Sequence, residues 1–304
     1  MRVAADPYTE LRDRLFDAEL LFSTGVDGLY GRSDTYEGIA DAVDRLMHRW
    51  GHEVGATVVH LPPLIARSTF DSTDYIRSFP DLAGSVHVFN GGDRDHAELV
   101  RRVSAGGDWP ALLEPGEIVL SPAACYSLYP MCSGRLPAGG RYFEVSGYCF
   151  RHEPSTDPTR MQAFKMHEIV YVGEPDTAQR HRDDGLARGL SILTDIGLDV
   201  TATPANDPFF GRLGAALAAG QLDEELKFEG VTPICSDDRP TAVMSANCHR
   251  DHFGAPFGIE TAAGAVAHSA CVGFGVDRIT IALLVRHGLD PSTWPGSVRA
   301  RLFS

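Results

Sequence analysis

Two arginine-containing segments of the sequence carry residue types that suit a nucleoside triphosphate. The first is Phe150-Arg151-His152-Glu153, and the second is Gly273-Phe274-Gly275-Val276-Asp277-Arg278. A guanidinium group stays charged at neutral pH and can bind two phosphate oxygens at once, which a lysine cannot do. When a carboxylate attacks the α-phosphorus of ATP, negative charge builds on the phosphate oxygens, and fixed cations lower that barrier. We therefore predict that Arg151 and Arg278 are catalytic and bind the α- and γ-phosphate ends.

Each segment alone also has a plainer interpretation. Arg151 and Glu153 are spaced like a surface ion pair, which is common and contributes little. Gly273 and Gly275 on an apolar run fit a strand that another backbone approaches closely, and the third glycine of a dinucleotide loop is missing. The intervening residues 160–170 favour the nucleotide site, because an arginine and an aromatic residue return there to an apolar strand.

A third segment predicts a long amphipathic helix followed by a strand. Asp34 and Glu37 fit a capping box. The apolar residues that then fall on one helical face, up to Gly51, are Ile39, Val43, Leu46, Met47 and Trp50. A strand is predicted over 54–61. Beyond Arg278, an apolar run predicts a helix that ends at Gly288.

In this order the segments resemble the three signature motifs of the class II aminoacyl-tRNA synthetases. The helix and strand match motif one, Arg151 and Glu153 match motif two, and residues 273–278 match motif three, which here carries Asp277 where the family normally has Glu. The resemblance implies an α+β fold in which helices flank an antiparallel sheet, and a homodimer formed through motif one. The alternative is that the motif-one helix packs on its own domain.

The length and net charge of the chain limit the classes of protein to which it can belong. A chain of 304 residues has room for one catalytic domain, 1–304, and little more. Residues 176–227 are predicted to form a helical insertion, with one helix ending at Gly197 and another over 209–219. The net charge is −14. Because nucleic-acid affinity depends largely on Lys and Arg, a tRNA partner is disfavoured.

The sequence also bears on location. The first residues show no charged leader followed by an apolar core, and no apolar run approaches the length of a membrane span. The six cysteines show none of the close, paired spacings of a small secreted framework. A cytoplasmic protein without a membrane partner is therefore expected.

Three further residues form a candidate metal site on a class II sheet. Cys125, Glu168 and Cys271 lie far apart in sequence, but on such a sheet their segments would line one amino-acid pocket. Two thiolates and a carboxylate suit Zn²⁺, and three protein ligands leave a fourth position for a substrate amine. Taken singly, each residue would ordinarily be a buried thiol or a solvated carboxylate.

With this triplet the chain resembles the amino acid:[carrier protein] ligases, truncated relatives of the zinc-dependent archaeal-type seryl-tRNA synthetases. The resemblance runs from about residue 20 to the C-terminus and includes residues 206–211, 226–229, 240–247 and 249–254. It implies that ATP and Mg²⁺ activate glycine or alanine as an aminoacyl-adenylate. It further implies that the amino acid then passes to the phosphopantetheine thiol of an acyl or peptidyl carrier protein.

Site residues follow by position from the same resemblance, which also implies that Phe164 stacks on the base. The implied ATP contacts are Arg151, Glu153, Arg160, Met161, Phe164, Lys227, Ala242, Val243, Met244, Ser245 and Arg278. The implied zinc ligands are Cys125, Glu168 and Cys271. The implied contacts to the substrate amino acid are Cys125, Glu168 and Asn247.

The sequence leaves the magnesium ligands, the role of residues 249–252 and two other functions open. Thr241 replaces an acid that helps hold magnesium in the seryl enzymes, so Glu229 or phosphate-bound waters are the remaining candidates. His249, Asp251 and His252 are interpreted as a loop at the pocket rim, with a second metal site as the alternative. Two other functions remain: aminoacylation of tRNA in trans, and a non-catalytic regulatory subunit, against which the presence of Arg151, Glu153 and Arg278 argues.

Overall fold

The computed structural model describes residues 6–207, 221 and 225–304. The helices among them are α1 (Pro7–Asp17), α2 (Asp34–Glu53), α3 (Arg67–Asp71), α4 (Tyr75–Ser78), α5 (Asp93–Ser104), α6 (Pro175–Asp195), α7 (Val276–His287) and α8 (Gly296–Phe303). The strands are β1 (Leu21–Val26), β2 (Leu29–Arg32), β3 (Thr57–Val59), β4 (Leu64–Ala66), β5 (Ser85–Val88), β6 (Glu114–Leu120), β7 (Gly134–Arg135), β8 (Arg141–Phe150), β9 (Ala163–Gly173), β10 (Thr201–Pro204), β11 (Lys227–Thr232), β12 (Thr241–Arg250), β13 (Ile259–Glu260) and β14 (His268–Gly275).

A seven-stranded sheet forms the centre of the fold, in the order β10-β11-β12-β14-β9-β8-β3. Its neighbouring strands pair antiparallel except β3 and β8, which are parallel. A three-stranded sheet, β4-β6-β5, lies beside it. The predicted α+β fold, an antiparallel sheet flanked by helices, is confirmed.

Successive side chains along the central strands point to opposite faces of the sheet, one covered by helix α6 and the other open. On β14, Val272 and Phe274 contact the glycines of α6, which have no side chain to hold the helix away. Gly273 lies on the opposite face, close to Glu168 and Ser245. Glu168 of β9, Ser245 of β12 and Gly273 of motif three therefore lie together on the face opposite α6.

The motif-one helix lies where the sequence predicts it, but its first and last residues differ from the prediction. The N-cap of α2 is Ser33, whose Oγ accepts the N–H of Tyr36 at 3.2 Å, so the predicted capping box at Asp34 and Glu37 is wrong by one residue. The helix continues past Gly51 to Glu53. The strand that follows keeps only three of its eight predicted residues, because Gly55 turns the chain with φ +68 before β3 begins.

The apolar face of α2 packs within its own chain, as the alternative interpretation predicts. Ile39, Val43 and Met47 are fully or almost fully buried, in the same core cluster as Ile279 and Leu283 of α7. Helix α7 ends as predicted, at Gly288, whose backbone N–H bonds the carbonyl of Leu284.

Helix α6 occupies the first half of the segment predicted as an insertion. It ends at Asp195, just before Gly197 (φ +84), and it packs on β9, β12 and β14. This half of the segment is therefore part of the layer that covers the sheet. The second predicted helix, 209–219, lies outside the described residues. Across the described ranges, no helix is long and apolar enough to cross a membrane.

Candidate active site

A cavity of about 560 Å³ opens on the face of the central sheet opposite α6. The predicted site residues that line it are Cys125, Arg151, Glu153, Met161, Phe164, Glu168, Lys227, Ala242, Val243, Met244, Ser245, Asn247, Cys271 and Arg278. Arg160 is the exception: its side chain is 55% exposed and pairs with Glu153 at 3.4 Å, beside the cavity. Residues from four strands (β9, β11, β12 and β14), from the motif-two loop and from the first turn of α7 therefore meet in one place.

Both predicted catalytic arginines are held by backbone carbonyl groups. Arg278 donates from Nε to Thr159 at 2.9 Å and from Nη1 to Ala242 at 3.0 Å. Arg151 donates from Nε to Pro122 at 3.0 Å, and its guanidinium lies 5.4 Å from the centre of the Phe164 ring. Neutral acceptors fix the direction of each guanidinium without cancelling its charge.

Arg151 lies close enough to Arg278 for its positive charge to disfavour the protonated form of Arg278. Burial, followed by the positive charges of Arg151 and Arg160, lowers the pKa of Arg278. Cations gathered in this way favour an anion between them. The arrangement therefore suits an anion at the junction of the motif-two loop and the start of α7.

Lys227 is held at the same cavity by two carboxylates. Its Nζ lies 2.6 Å from Asp207 Oδ1 and 3.2 Å from Glu229 Oε1. Burial opposes ionisation of Asp207, but Lys227 and Gln221 outweigh it and lower its pKa. Asp207 was not among the predicted site residues, although it lies in the stretch 206–211 that contributes to the family resemblance.

Cys125, Glu168 and Cys271 meet at the buried end of the cavity. Glu168 Oε1 accepts the backbone N–H of Ala124 at 2.9 Å, and burial followed by the negative charge of Cys271 raises its pKa to about 7. The Cys125 thiol donates a hydrogen bond to Cys271, which raises the pKa of Cys125 and lowers that of Cys271. Asn247 also donates to Cys271, from Nδ2 at 3.7 Å.

The three side chains of this cluster carry donor atoms that suit zinc, but they are not arranged as a set of metal ligands. Two thiols and a carboxylate in a buried position are suitable Zn²⁺ ligands once the thiols ionise. In the part of the chain that the structure describes, however, no group of three or more His, Cys, Asp or Glu side chains is arranged to hold a metal ion. The zinc site therefore stays a prediction.

The rim of the cavity is closed by contacts between distant segments. His252 Nε2 lies 3.2 Å from Asp74 Oδ1, and His249 Nδ1 lies 3.0 Å from Ser269 Oγ. Both histidines line the cavity, as the rim interpretation expects. Asp74 was not predicted, because no sequence pattern indicates that the start of α4 folds against residues 249–253.

The Asp74–His252 pair predicts a pH-dependent difference in stability. The hydrogen bond with Asp74 is the largest cause that raises the pKa of His252, and it also lowers the pKa of Asp74. A histidine with a raised folded-state pKa stabilises the fold fully below its unfolded pKa of about 6.5, and this contribution disappears as the pH rises through the raised value. We expect Asp74→Asn to have a lower Tm than the wild type at about pH 6, and the gap to narrow at higher pH.

Thermal unfolding of both proteins across this pH range measures the gap. The effect is small, because the two side chains are 46% and 42% exposed and water screens the pair. A Tm difference that stays constant or widens with pH would rule out the pair as its source.

Because carrier proteins are usually acidic, the sequence offers four arginines in and beside the predicted insertion helices as candidates for docking such a partner: Arg180, Arg182, Arg188 and Arg212. Arg180 and Arg188 are exposed on α6, and Arg188 pairs with Glu53 at 2.7 Å. Arg182 is only 5% exposed and its guanidinium lies 5.0 Å from the centre of the Phe228 ring, so its selection as a docking residue is wrong. Arg212 lies outside the described residues.

Comparison with solved structures defines the class of this fold. The crystal structure of the M. kandleri seryl-tRNA synthetase in complex with A. aeolicus tRNASec superimposes on this chain with a TM-score of 0.81. The match covers 96% of this chain and 59% of that one at 21% identity. The chain therefore has the fold of the class II aminoacyl-tRNA synthetases.

Sequence comparison then defines the family. Amino acid–[acyl-carrier-protein] ligases 1 and 2 of Bradyrhizobium diazoefficiens are 43% and 42% identical to the chain, each over 97% of it and over 89% and 87% of their own lengths. The type-2 serine–tRNA ligase of Methanopyrus kandleri is 27% identical over 85% of the chain and 53% of its own length. No protein-family profile matches. The chain belongs to the amino acid–[acyl-carrier-protein] ligase family and is an enzyme of that class.

Proposed function

We propose that this enzyme activates a small amino acid with ATP and transfers it to the phosphopantetheine thiol of a carrier protein. The names of the two Bradyrhizobium relatives, which specify an amino acid and an acyl carrier protein, support the reaction class. The observation that carries the proposal is the shared cavity. Two fixed guanidinium groups, Arg151 and Arg278, line the same space as the Cys125–Glu168–Cys271 cluster.

In the first step the amino-acid carboxylate attacks the α-phosphorus of ATP in line, and pyrophosphate leaves. Arg151 and Arg278 stabilise the charge that develops on the phosphate oxygens. Phe164 stacks on the adenine, and residues 242–245 form the floor of the nucleotide site. Mg²⁺ accompanies the phosphates, with Glu229 as the candidate acid, since Thr241 offers no carboxylate. Catalysis is positioning plus charge stabilisation, so no side-chain nucleophile is needed.

Cys125, Glu168 and Cys271 would hold Zn²⁺ in this site. When bound, the ion supplies a Lewis-acidic position for the α-amino group of the substrate. The surrounding residues would select the amino acid by size. Asn247 of β12 lines the cavity, as do Tyr126 and Phe253, whose ring centres lie 5.5 Å apart. We propose glycine or alanine as the substrate, as the family resemblance implies.

In the second step the carrier-protein thiol attacks the carbonyl carbon of the aminoacyl-adenylate. A sulfur–carbon bond forms, the bond from the carbonyl carbon to the phosphate oxygen breaks, the thiol proton is released, and AMP leaves. The product is an aminoacyl thioester. Arg151 stays beside the α-phosphate and stabilises the AMP that departs.

ATP–pyrophosphate exchange with a panel of amino acids tests the first step. We expect exchange with glycine or alanine and a strong decline for larger side chains, because a filled pocket excludes added volume sterically. A non-catalytic, regulatory protein gives no exchange with any amino acid, and that result would overturn the proposed activation step.

The acceptor is predicted to be a carrier protein and not tRNA. A net charge of −14 disfavours the phosphate contacts on which tRNA binding depends. We expect radiolabelled amino acid to enter a holo-carrier protein while bulk tRNA from the same organism stays unlabelled. An apo-carrier protein, which lacks the thiol, is the matched control. Efficient labelling of tRNA with none on the carrier protein would reverse the assignment.

We propose that the enzyme is a homodimer and that it acts in the cytoplasm. The match to motif one supports the dimer. Because the apolar face of α2 is already covered by its own chain, the contact would use neighbouring exposed groups such as Val58 on edge strand β3 and Tyr148 on β8. The cysteines are free thiols, which supports a reducing compartment.

A further inference from the structure

Asp277, the residue that departs from the motif-three pattern, is a buried carboxylate with three donors. It is 4% exposed. Its Oδ1 lies 3.0 Å from Arg32 Nε and accepts from the Tyr36 hydroxyl at 3.0 Å, while Oδ2 accepts the backbone N–H of Lys165 at 2.6 Å. A buried carboxylate is stable only when its oxygens are bonded in this way. The carboxylate therefore ties the first turn of α7 to the start of β9.

Arg32 also forms a hydrogen bond to the same stretch of β9. Its Nη2 donates to the carbonyl oxygen of Ala163 at 3.2 Å, and its Nη1 donates to the Tyr148 hydroxyl at 3.2 Å. Its guanidinium also lies 5.2 Å from the centre of the Tyr148 ring. Through the salt bridge to Asp277, this arginine joins β2, β8, β9 and α7.

The hydrogen bonds from Arg32 and to Asp277 hold the backbone on either side of one residue, Phe164. The preceding carbonyl, of Ala163, is bonded to Arg32, and the following N–H, of Lys165, is bonded to Asp277. The Phe164 ring itself projects into the cavity, beneath the guanidinium of Arg151. Its backbone position is thus set by an ion pair of which Asp277 lies at the cavity and Arg32 does not.

We propose that Arg32 and Asp277 form a clamp that positions Phe164 for stacking on the adenine of ATP. The inference rests on the proposed function, in which Phe164 contacts the base. Asp277 and Arg32 are positioning residues, and they act on nucleotide affinity through the ring. A loosened ring weakens ATP binding equally in the ground state and in the transition state, so the clamp affects KM for ATP more than kcat.

Asp277→Asn tests the clamp with little change in volume. The amide nitrogen must face one of the three donors, which breaks at least one tie. We expect KM for ATP in the exchange assay to rise about tenfold, with kcat and KM for the amino acid changed by less than about threefold. Arg32→Lys, which loses the planar fork that spans Asp277 and Ala163, should behave in the same way.

A double-mutant cycle with Phe164→Ala separates positioning from general destabilisation. If the clamp acts through the ring, adding Asp277→Asn to Phe164→Ala should raise KM for ATP by less than about twofold beyond Phe164→Ala alone. Tyr36→Phe is the matched control, because its hydroxyl also bonds Asp277 but leads to no backbone group beside Phe164. It should lower Tm and leave KM for ATP within about twofold of wild type.

Two results would overturn the clamp. One is full additivity of Asp277→Asn and Phe164→Ala on KM for ATP, and the other is an Asp277→Asn protein with lower Tm but unchanged KM for ATP. Calorimetric titration with ATP keeps the test independent of turnover. Wild-type protein that binds ATP without any exchange would refute the proposed activity, while the same cycle, measured as Kd for ATP, would still decide whether the clamp operates.

Discussion

Arg278→Ala is expected to reduce ATP–pyrophosphate exchange by at least about a hundredfold, because removal of one fixed donor to a developing oxyanion has an effect of this size. Arg278 stands on the first turn of α7, where Thr159 and Ala242 carbonyls fix its direction. A guanidinium held in this way needs no reorganisation when charge develops on the phosphates. Initial rates of exchange at saturating ATP and amino acid measure the loss.

The same helix supplies the control for this variant. Arg286 is exposed on α7, and Arg286→Ala removes an equal charge without reaching the cavity. Circular dichroism should show both variants folded, with a modest Tm decrease for Arg278→Ala because two carbonyl groups lose their donor. Exchange by Arg278→Ala within about threefold of wild type would remove this arginine from the ATP site.

Cys271→Ser is expected to lose both the bound zinc and amino-acid activation. A serine hydroxyl does not ionise at neutral pH as a thiol does, so the variant offers one anionic ligand fewer. Elemental analysis of purified protein should find about one zinc per wild-type chain and essentially none in Cys271→Ser. Cys235→Ser, at a half-buried thiol outside the cavity, is the matched control and should keep both metal and activity.

Metal content gives a result that does not depend on turnover. In the structure the three side chains are joined by hydrogen bonds and not arranged around an ion, so the measurement decides between two states of the cluster. A fully active wild-type enzyme without zinc would contradict the assignment. A Cys271→Ser protein that retains both metal and exchange would contradict it equally.

The elements that position the site were predictable where one strong local signal fixed them. Gly288 ends α7 and Gly197 follows α6 because a positive φ suits glycine there. The start of α2 was misplaced by one residue, since Ser33, Asp34 and Glu37 all offer plausible capping groups and only the backbone conformation selects Ser33. Helix periodicity also did not reveal that Arg182 faces inward, where Phe228 covers it.

The cavity itself was predictable only as far as strand adjacency allowed. Glu168 and Cys271 share a face because β9 and β14 pair antiparallel, with Gly273 opposite Glu168. The Asp74–His252 contact joins residues 178 positions apart through two irregular segments, and the Asp277 clamp uses backbone groups that no motif specifies. Contacts of both kinds depend on tertiary packing, and the spacing of residues along the sequence does not indicate them.

Transfer of the activated amino acid to a carrier-protein thiol is most directly tested by the intact mass of a holo-carrier protein. The carrier protein is first incubated with enzyme, ATP, Mg²⁺ and glycine or alanine. We predict that the holo form gains one aminoacyl group, that hydroxylamine removes it as expected for a thioester, and that the apo form is unchanged. Holo-carrier proteins from the same organism that all remain unmodified, while the enzyme catalyses amino-acid-dependent exchange, would contradict the account.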